Sequence, residues 1–295
     1  FTLAVKGLAS EILFVDVAKE KALGEAMDIY QATPVCAPVY VHAGDYPDAA
    51  NSDIVVITSG IARRPGQTRL ELAKTNVNLL KSITEQITKY APNAIYIIVS
   101  NPVDILTYVF TKISGIPESR IIGSGTQLDS ARLCATLAEK LDVNQKDVHA
   151  FVLGEHGDTS FVPWSMATVA GVKIDDYCRG AFGGRKFDID YDDVVKYVRE
   201  SGGMVIKRKG ATYYAIAVSV CRIIEMLDMC DNGVAVVSTM MHGEYGVDDV
   251  CISTPCIVGP HGVKGKLVVS MTDEEIEKLC ASGRAMKAAM EALTY

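Results

Sequence analysis

Short, almost unbroken apolar runs alternate with longer amphipathic ones along the first 123 residues. Glu11-Ile-Leu-Phe-Val-Asp-Val17, Asp53-Ile-Val-Val-Ile-Thr-Ser-Gly60, Ala94-Ile-Tyr-Ile-Ile-Val-Ser100 and Arg120-Ile-Ile-Gly123 read as strands covered on both faces, as in a parallel sheet. A shorter strand is expected near Pro38–His42. Helices are predicted between them, over about 19–31, about 68–90 and from about Val103, and Phe1–Gly7 reads as a helix end stopped by glycine. This βαβ alternation predicts an α/β fold, a doubly wound parallel sheet that places ligands at the carboxyl ends of its strands.

From Thr126 the pattern changes. A helix over about 128–141 leads into strand signals at 148–154 and 161–174, then a polar, glycine-rich crossing at 179–192. Helices over about 192–208 and 211–228 precede three strand-like runs between 234 and 270. Thr272-Asp-Glu-Glu275 is a capping box, in which the hydroxyl accepts from one orphan amide and the glutamate reaches back to another. It opens a last helix carrying Ile276, Leu279, Met286 and Ala289 on one face. Two domains are expected: residues 1–123, a dinucleotide-binding unit of Rossmann type, and residues 124–295, an α+β substrate domain.

Composition narrows the partners. A net charge of −7 argues against nucleic acid or an anionic membrane surface as the main partner. There is no run of about 18 apolar residues to span a bilayer, and Phe1–Gly7 lacks the features of a signal peptide. The eight cysteines are scattered, without C-x-x-C, and Cys134, Cys221 and Cys280 sit in apolar helical patterns, so reduced thiols and a cytoplasmic setting are expected. The five histidines show no metal-ligand spacing, and no metal is expected.

Candidate chemistry centres on Phe151-Val-Leu-Gly-Glu-His-Gly-Asp-Thr159. It sets His156 between two glycines, with carboxylates at Glu155 and Asp158. A histidine so placed can exchange a proton near neutral pH, although taken alone it is more often a turn residue than a catalyst. Asp16 ends a strand where a dinucleotide fold puts the carboxylate that bonds ribose hydroxyls. The G-x-G-x-x-G that should lie about 20 residues earlier occurs nowhere in the chain; Gly123-Ser-Gly125 is a near miss. Either the fold does not bind a dinucleotide, or the first strand and its glycine loop precede Phe1. The second is expected, because strand 1 is central in such a sheet and its loss would orphan buried backbone groups at ~1–3 kcal/mol each.

The chain resembles the L-lactate/malate dehydrogenase family along essentially its whole length. The resemblance is carried by Gly7-Leu-Ala-Ser-Glu-Ile with Val15-Asp-Val17, Thr58-Ser-Gly-Ile-Ala-Arg-Arg-Pro-Gly-Gln-Thr-Arg69, Val99-Ser-Asn-Pro-Val-Asp104, Gly123-Ser-Gly-Thr-Gln-Leu-Asp-Ser-Ala-Arg132, Gly154-Glu-His-Gly-Asp158 and Lys209-Gly-Ala-Thr-Tyr-Tyr214. It implies NAD as cofactor and a small 2-oxo or 2-hydroxy acid as substrate. By that resemblance His156 is the proton donor and acceptor, Asp129 the carboxylate that orients it, and Arg132 the clamp on the substrate carboxylate. Arg69 would polarise the carbonyl as its loop closes, and Asn101 would contact the substrate. Asp16, Thr58, Ser59, Gly60, Ser100 and Asn101 would line the cofactor. Taken singly, Asp129–Arg132 is also a plain surface ion pair, Asn101-Pro102 a helix cap and Arg69 a solvated helix residue.

The substrate signals conflict. Arg63 stands at the family's discriminating loop position, where an arginine resembles the malate type and would pair with the second carboxylate of oxaloacetate. Glu155 and Thr212 resemble the lactate type, as does the body of the chain, which is similar to the bacterial enzymes. The expectation is lactate chemistry, a glycolytic and fermentative role, with oxaloacetate activity raised by Arg63; malate chemistry is the alternative, and an Arg63 facing solvent would decide nothing. His149 matches one half of a sugar-bisphosphate site of some bacterial relatives, but Cys134 stands where an arginine would be, so little activation is expected. The resemblance implies a homotetramer, or a dimer in the malate-type branch. A nucleotide-binding protein without catalysis would be expected to lose His156, Asp129 or one of the arginines, and none is lost.

Overall fold

The computed structural model describes residues 1–61, 69–181, 183–228 and 232–293, the side chains of Arg69 and Ala181 excepted. Its first half follows the expected alternation. Helix α1 (Thr2–Lys6) ends at Gly7, whose φ of 67° is the left-handed conformation glycine adopts without strain. Strand β1 (Glu11–Phe14), helix α2 (Lys19–Ala32) and strand β2 (Tyr40–Ala43) form a unit in which β1 and β2 pair in parallel. Then come β3 (Ile54–Ile57), α3 (Arg69–Tyr90), β4 (Ile95–Ile98), α4 (Val103–Ile113) and β5 (Ile121–Gly123).

The second half contributes α5 (Gln127–Leu141), the short strands β6 (Val148–His149), β7 (Thr168–Val169) and β8 (Val172–Lys173), and the single turn α6 (Ile174–Asp176). Helices α7 (Tyr191–Lys209) and α8 (Tyr214–Asp228) follow, then β9 (Gly233–His242), β10 (Asp248–Gly259), β11 (Gly262–Lys266) and α9 (Asp273–Leu293).

Three differences from the sequence reading have physical causes. The strands expected over 11–17 and 53–60 stop at Phe14 and Ile57, so that Asp16 and Thr58–Gly60 lie exposed beyond the carboxyl ends. The run at 161–174 is mostly not strand: after Phe161 bridges to Leu153, Pro163 leads into a 3-10 turn over Trp164–Met166. The three strands after 233 do not form a separate sheet. They extend the parallel strands in one six-stranded sheet of order β11-β10-β9-β5-β4-β3, while β1 and β2 stand as a separate pair.

The junction is the antiparallel contact of Gly123 with Ser238. A Cβ on Gly123 would lie 2.3 Å from Thr107 Oγ1 and 2.8 Å from Ser238 Cβ, so only glycine allows this approach.

The largest core lies on one face of this sheet, around Tyr96, Ile98, Leu106, Phe110, Met241 and Leu279. Helix α4 runs through it, and every residue from Val103 to Phe110 is buried. Each fully buried aliphatic or aromatic side chain there is worth roughly 1.5–3 kcal/mol. The capping box forms as expected: Thr272 N donates to Glu275 Oε2 (2.9 Å) and Glu275 N to Thr272 Oγ1 (3.2 Å). Glu275 also accepts from the amide and hydroxyl of Ser165, tying α9 to the turn before β7. The seven described cysteines are free thiols; Cys230 lies outside the described residues. No helix is long and apolar enough to cross a membrane among the described residues, and none of them form a metal-binding cluster.

Candidate active site

Helix α5 presents Asp129 and Arg132 on one face, because residues three apart on a helix are neighbours. Arg132 Nη1 donates to Asp129 Oδ1 at 2.8 Å. The other oxygen of Asp129 lies 2.5 Å from Nδ1 of His156. One carboxylate therefore holds an imidazole and a guanidinium at once. Asp129 is nearly buried, whereas the His156 side chain keeps 28% of its surface open, enough for a small reactant to reach it.

The electrostatics follow from that geometry. Burial by itself would lower the His156 pKa, but the hydrogen bond and charge of Asp129, with Asp104 adding, overcome it and hold the imidazole above its usual value. Burial would likewise raise Asp129; the His156 hydrogen bond and charge and the Arg132 guanidinium prevail and keep its carboxyl below the usual carboxylate range. The surroundings thus favour the protonated imidazole more than water does.

The turn that carries His156 is fastened by four elements, β10, α9, α4 and α7. Gly154 takes a φ of 90° and pairs with Ser253 of β10. A Cβ there would also come within 2.8 Å of Ser282 Oγ. Ser282, fully buried on α9, accepts the amide of Glu155 at 2.7 Å and lies 2.9 Å from Thr159 Oγ1, which donates in turn to the Glu155 carboxylate. Asp104 of α4 accepts the amide of His156 at 2.7 Å and the hydroxyl of Ser238 at 2.6 Å. On the far side of the turn, the Arg199 guanidinium of α7 donates to the Ser160 carbonyl.

Asn101 stands exposed at the start of α4, three residues before Asp104. Its side-chain oxygen accepts from Val103 N at 3.3 Å, as a cap would, and its carbonyl accepts from Asn76 Nδ2 at 2.7 Å. Asn76, buried on α3, also bonds both backbone groups of Ile61, so it links the segment before α3 to Asn101. Thr212 is half-buried between α7 and α8. Helix α7 approaches the site at Gly202, where a Cβ would be 3.6 Å from Arg132 Nη2.

Asp16, Thr58, Ser59 and Gly60 are exposed, at the carboxyl ends of β1 and β3. Ser100, beyond β4, donates from its hydroxyl to the Ser59 carbonyl at 2.7 Å, which holds the two strand ends together. Asp16 accepts the Ala18 amide at 2.9 Å through one oxygen. These groups fit a nicotinamide dinucleotide: exposed hydroxyls and a glycine at the ends of β3 and β4, and a carboxylate just beyond β1 for the ribose. Arg63 lies outside the described residues, as does the side chain of Arg69, whose backbone begins α3.

Sequence reasoning missed Asp104, Ser238, Ser282 and Asn76. Only Asp104 carried a signal, as a lone charge in the otherwise apolar run Val103-Asp-Ile-Leu-Thr-Tyr-Val-Phe110.

Residues 1–123 match the family profile for the lactate/malate dehydrogenase NAD binding domain, and residues 126–294 that for the alpha/beta C-terminal domain. L-lactate dehydrogenase 1 of Clostridium acetobutylicum is 45% identical over 99% of the chain and 93% of its own length. An L-lactate dehydrogenase of Acetivibrio thermocellus is 43% identical over 99% of the chain and 92% of its own length. Among solved structures, a lactate dehydrogenase from a Medee basin deep-sea metagenome library superposes with a TM-score of 0.95 at 33% identity, covering 100% of this chain and 94% of that one. The minor L-lactate dehydrogenase of Enterococcus mundtii, in a ligand-bound form, gives 0.93 at 35% identity over 98% and 92%.

Proposed function

The chain belongs to the lactate/malate dehydrogenase family, and from that premise we propose that it is an L-lactate dehydrogenase, reducing pyruvate to L-lactate with NADH and running the reverse with NAD. The observation that carries this is Asp129 bridging His156 and Arg132 through its two oxygens. Residues 1–123 serve as the dinucleotide-binding half and 124–295 as the substrate half.

Arg132 receives the pyruvate carboxylate through its remaining guanidinium donors, a two-pronged match that lysine would not offer. That fixes the ketone relative to His156, whose Nδ1 is committed to Asp129, so Nε2 is the nitrogen that gives its proton to the ketone oxygen. Asp129 holds the tautomer and stabilises the imidazolium before transfer. Arg69 polarises the carbonyl, and Asn101 and Thr212 border the substrate. Asp16 takes the ribose hydroxyls and disfavours a 2′-phosphate; Thr58, Ser59, Gly60, Ser100 and Asn101 line the remainder. Bound there, the nicotinamide supplies or receives the hydride. In the reverse direction neutral His156 accepts the proton of the lactate hydroxyl.

A malate dehydrogenase is the second reading, favoured by one residue, Arg63. The protein is proposed to act in the cytoplasm as a homotetramer, alternatively a dimer, which analytical ultracentrifugation distinguishes. NADH oxidation with pyruvate and with oxaloacetate as separate substrates tests the activity. A kcat/KM favouring pyruvate is expected; a preference for oxaloacetate would replace lactate with malate, and turnover of neither would remove both.

A further inference from the structure

We infer that Asp104 is a positioning residue for His156: its carboxylate anchors the main chain of the catalytic histidine, and its negative charge supports the protonated imidazole. The inference deepens the reading above and rests on His156 being the proton donor.

Asp104 is 2% exposed, in the first turn of α4, among the buried Val103, Ile105 and Leu106. A carboxylate in such surroundings is costly to keep ionised. Its two oxygens meet two neutral donors, the His156 amide at 2.7 Å and the Ser238 hydroxyl at 2.6 Å. The positive end of the α4 dipole adds to these. A purely structural need to cap the His156 amide would be met by a backbone carbonyl or a serine, without burying a charge.

The surroundings explain what the charge does. The titratable groups facing Asp104 are His156 and Glu155 on the turn and the Cys251 thiol on β10, and Ser238 reaches it from β9. Burial pushes its pKa up to about 6, against the Ser238 and His156 hydrogen bonds and the charge of His156; Glu155 pushes it up further. The relation is reciprocal, since Asp104 helps to hold the His156 pKa above its usual value.

Asp129 alone would serve His156 in the free site, where its charge is shared with Arg132. Once Arg132 is engaged by a substrate carboxylate, two carboxylates and one guanidinium surround the imidazole. Asp104 adds a third negative charge, held to the histidine through its main-chain amide. The proton is thereby kept on His156 until the ketone oxygen takes it.

Asp104→Asn isolates the charge, because its amide can present oxygen to the His156 N–H and nitrogen to Ser238 Oγ in the same shape. The test is a histidine NMR titration of the full chain beside the pH profile of pyruvate reduction. The His156 pKa is expected to fall by about 0.5–1 pH unit, and the alkaline limb of kcat/KM to move to lower pH by the same amount. Ser238→Ala is the second variant. It removes a donor that keeps Asp104 ionised and is expected to shift His156 the same way by less. His156 titrating as in the unmodified protein in Asp104→Asn, or in Ser238→Ala should the first variant fail to fold, would overturn the inference. Absence of pyruvate reduction by the unmodified protein would instead overturn the functional reading, and the NMR titration separates the two.

Discussion

Nδ1 of His156 lies 2.5 Å from Oδ2 of Asp129, at the end of a contact that spans 27 residues of chain. The same carboxylate restrains Arg132, so the proposed acid and the proposed substrate anchor share one support. Removing its charge without changing its size should disturb both.

Asp129→Asn is accordingly expected to lower kcat for pyruvate at least about 100-fold, the lower range for losing a positioned general acid. The alkaline limb of the profile should move to lower pH, because His156 loses the partner that raises its pKa. The stability signs are opposite for the two partners. For His156, raised in the folded state, the contribution is complete below its unfolded value near 6.5 and is lost as pH rises through the folded one. For Asp129, lowered in the folded state, it is present above about 3.9 and is lost as pH falls through the folded value. Urea midpoints measured across pH should be flatter in the variant at both ends.

Arg132→Lys keeps a positive charge but discards the fork. Losing one charge-assisted hydrogen bond costs about 1.5–3 kcal/mol, so KM for pyruvate should rise roughly 10- to 100-fold. The affinity for oxamate, a pyruvate mimic, measured by NADH fluorescence, should weaken in proportion; unchanged oxamate binding would remove Arg132 from the substrate site.

Arg63→Gln probes the disputed specificity. A lone guanidinium trapped in a dry site is costly, and a dicarboxylate would neutralise it. The ratio of kcat/KM for oxaloacetate over pyruvate is expected to fall at least about tenfold in the variant, the effect of some 1.4 kcal/mol. A constant ratio would mean that Arg63 plays no part in selecting the substrate.

Ser282→Ala leaves the Glu155 amide without its buried acceptor. The expected cost is ~1–3 kcal/mol, read as a lower melting temperature, with kcat reduced because the His156 turn loosens. Gly154→Ala should be worse, since the new methyl meets Ser282 while the backbone holds a φ of 90°. Combining the two substitutions should relieve the collision but not the strained backbone. Thermal scans of the three variants give the comparison.

Much of this site could be read from the chain itself. The i, i+3 spacing of Asp129 and Arg132 places them together whatever else the fold does, and the Gly154-to-Asp158 turn announces a histidine held by glycines. The alternation of apolar and amphipathic runs likewise gives the strand–helix order. What stayed hidden depends on residues far apart in sequence. Asp104 reaches His156 across 52 positions, Ser282 reaches Glu155 across 127, and Ser238 reaches Asp104 across 134. Serines in an apolar pattern look like tolerated polar residues until tertiary contact gives them partners. The joining of β5 to β9 was hidden for the same reason: a glycine at the end of a strand reads as a stop until its neighbour is known.

That glycine has a structural consequence. With Gly123 pressed between Thr107 and Ser238, the parallel strands and the antiparallel strands after them meet in one continuous six-stranded sheet at a point that admits no side chain. From the same junction, Ser238 pairs with Ser253 and Ser253 with Gly154, so the turn that carries His156 is reached from Gly123 in three backbone pairings.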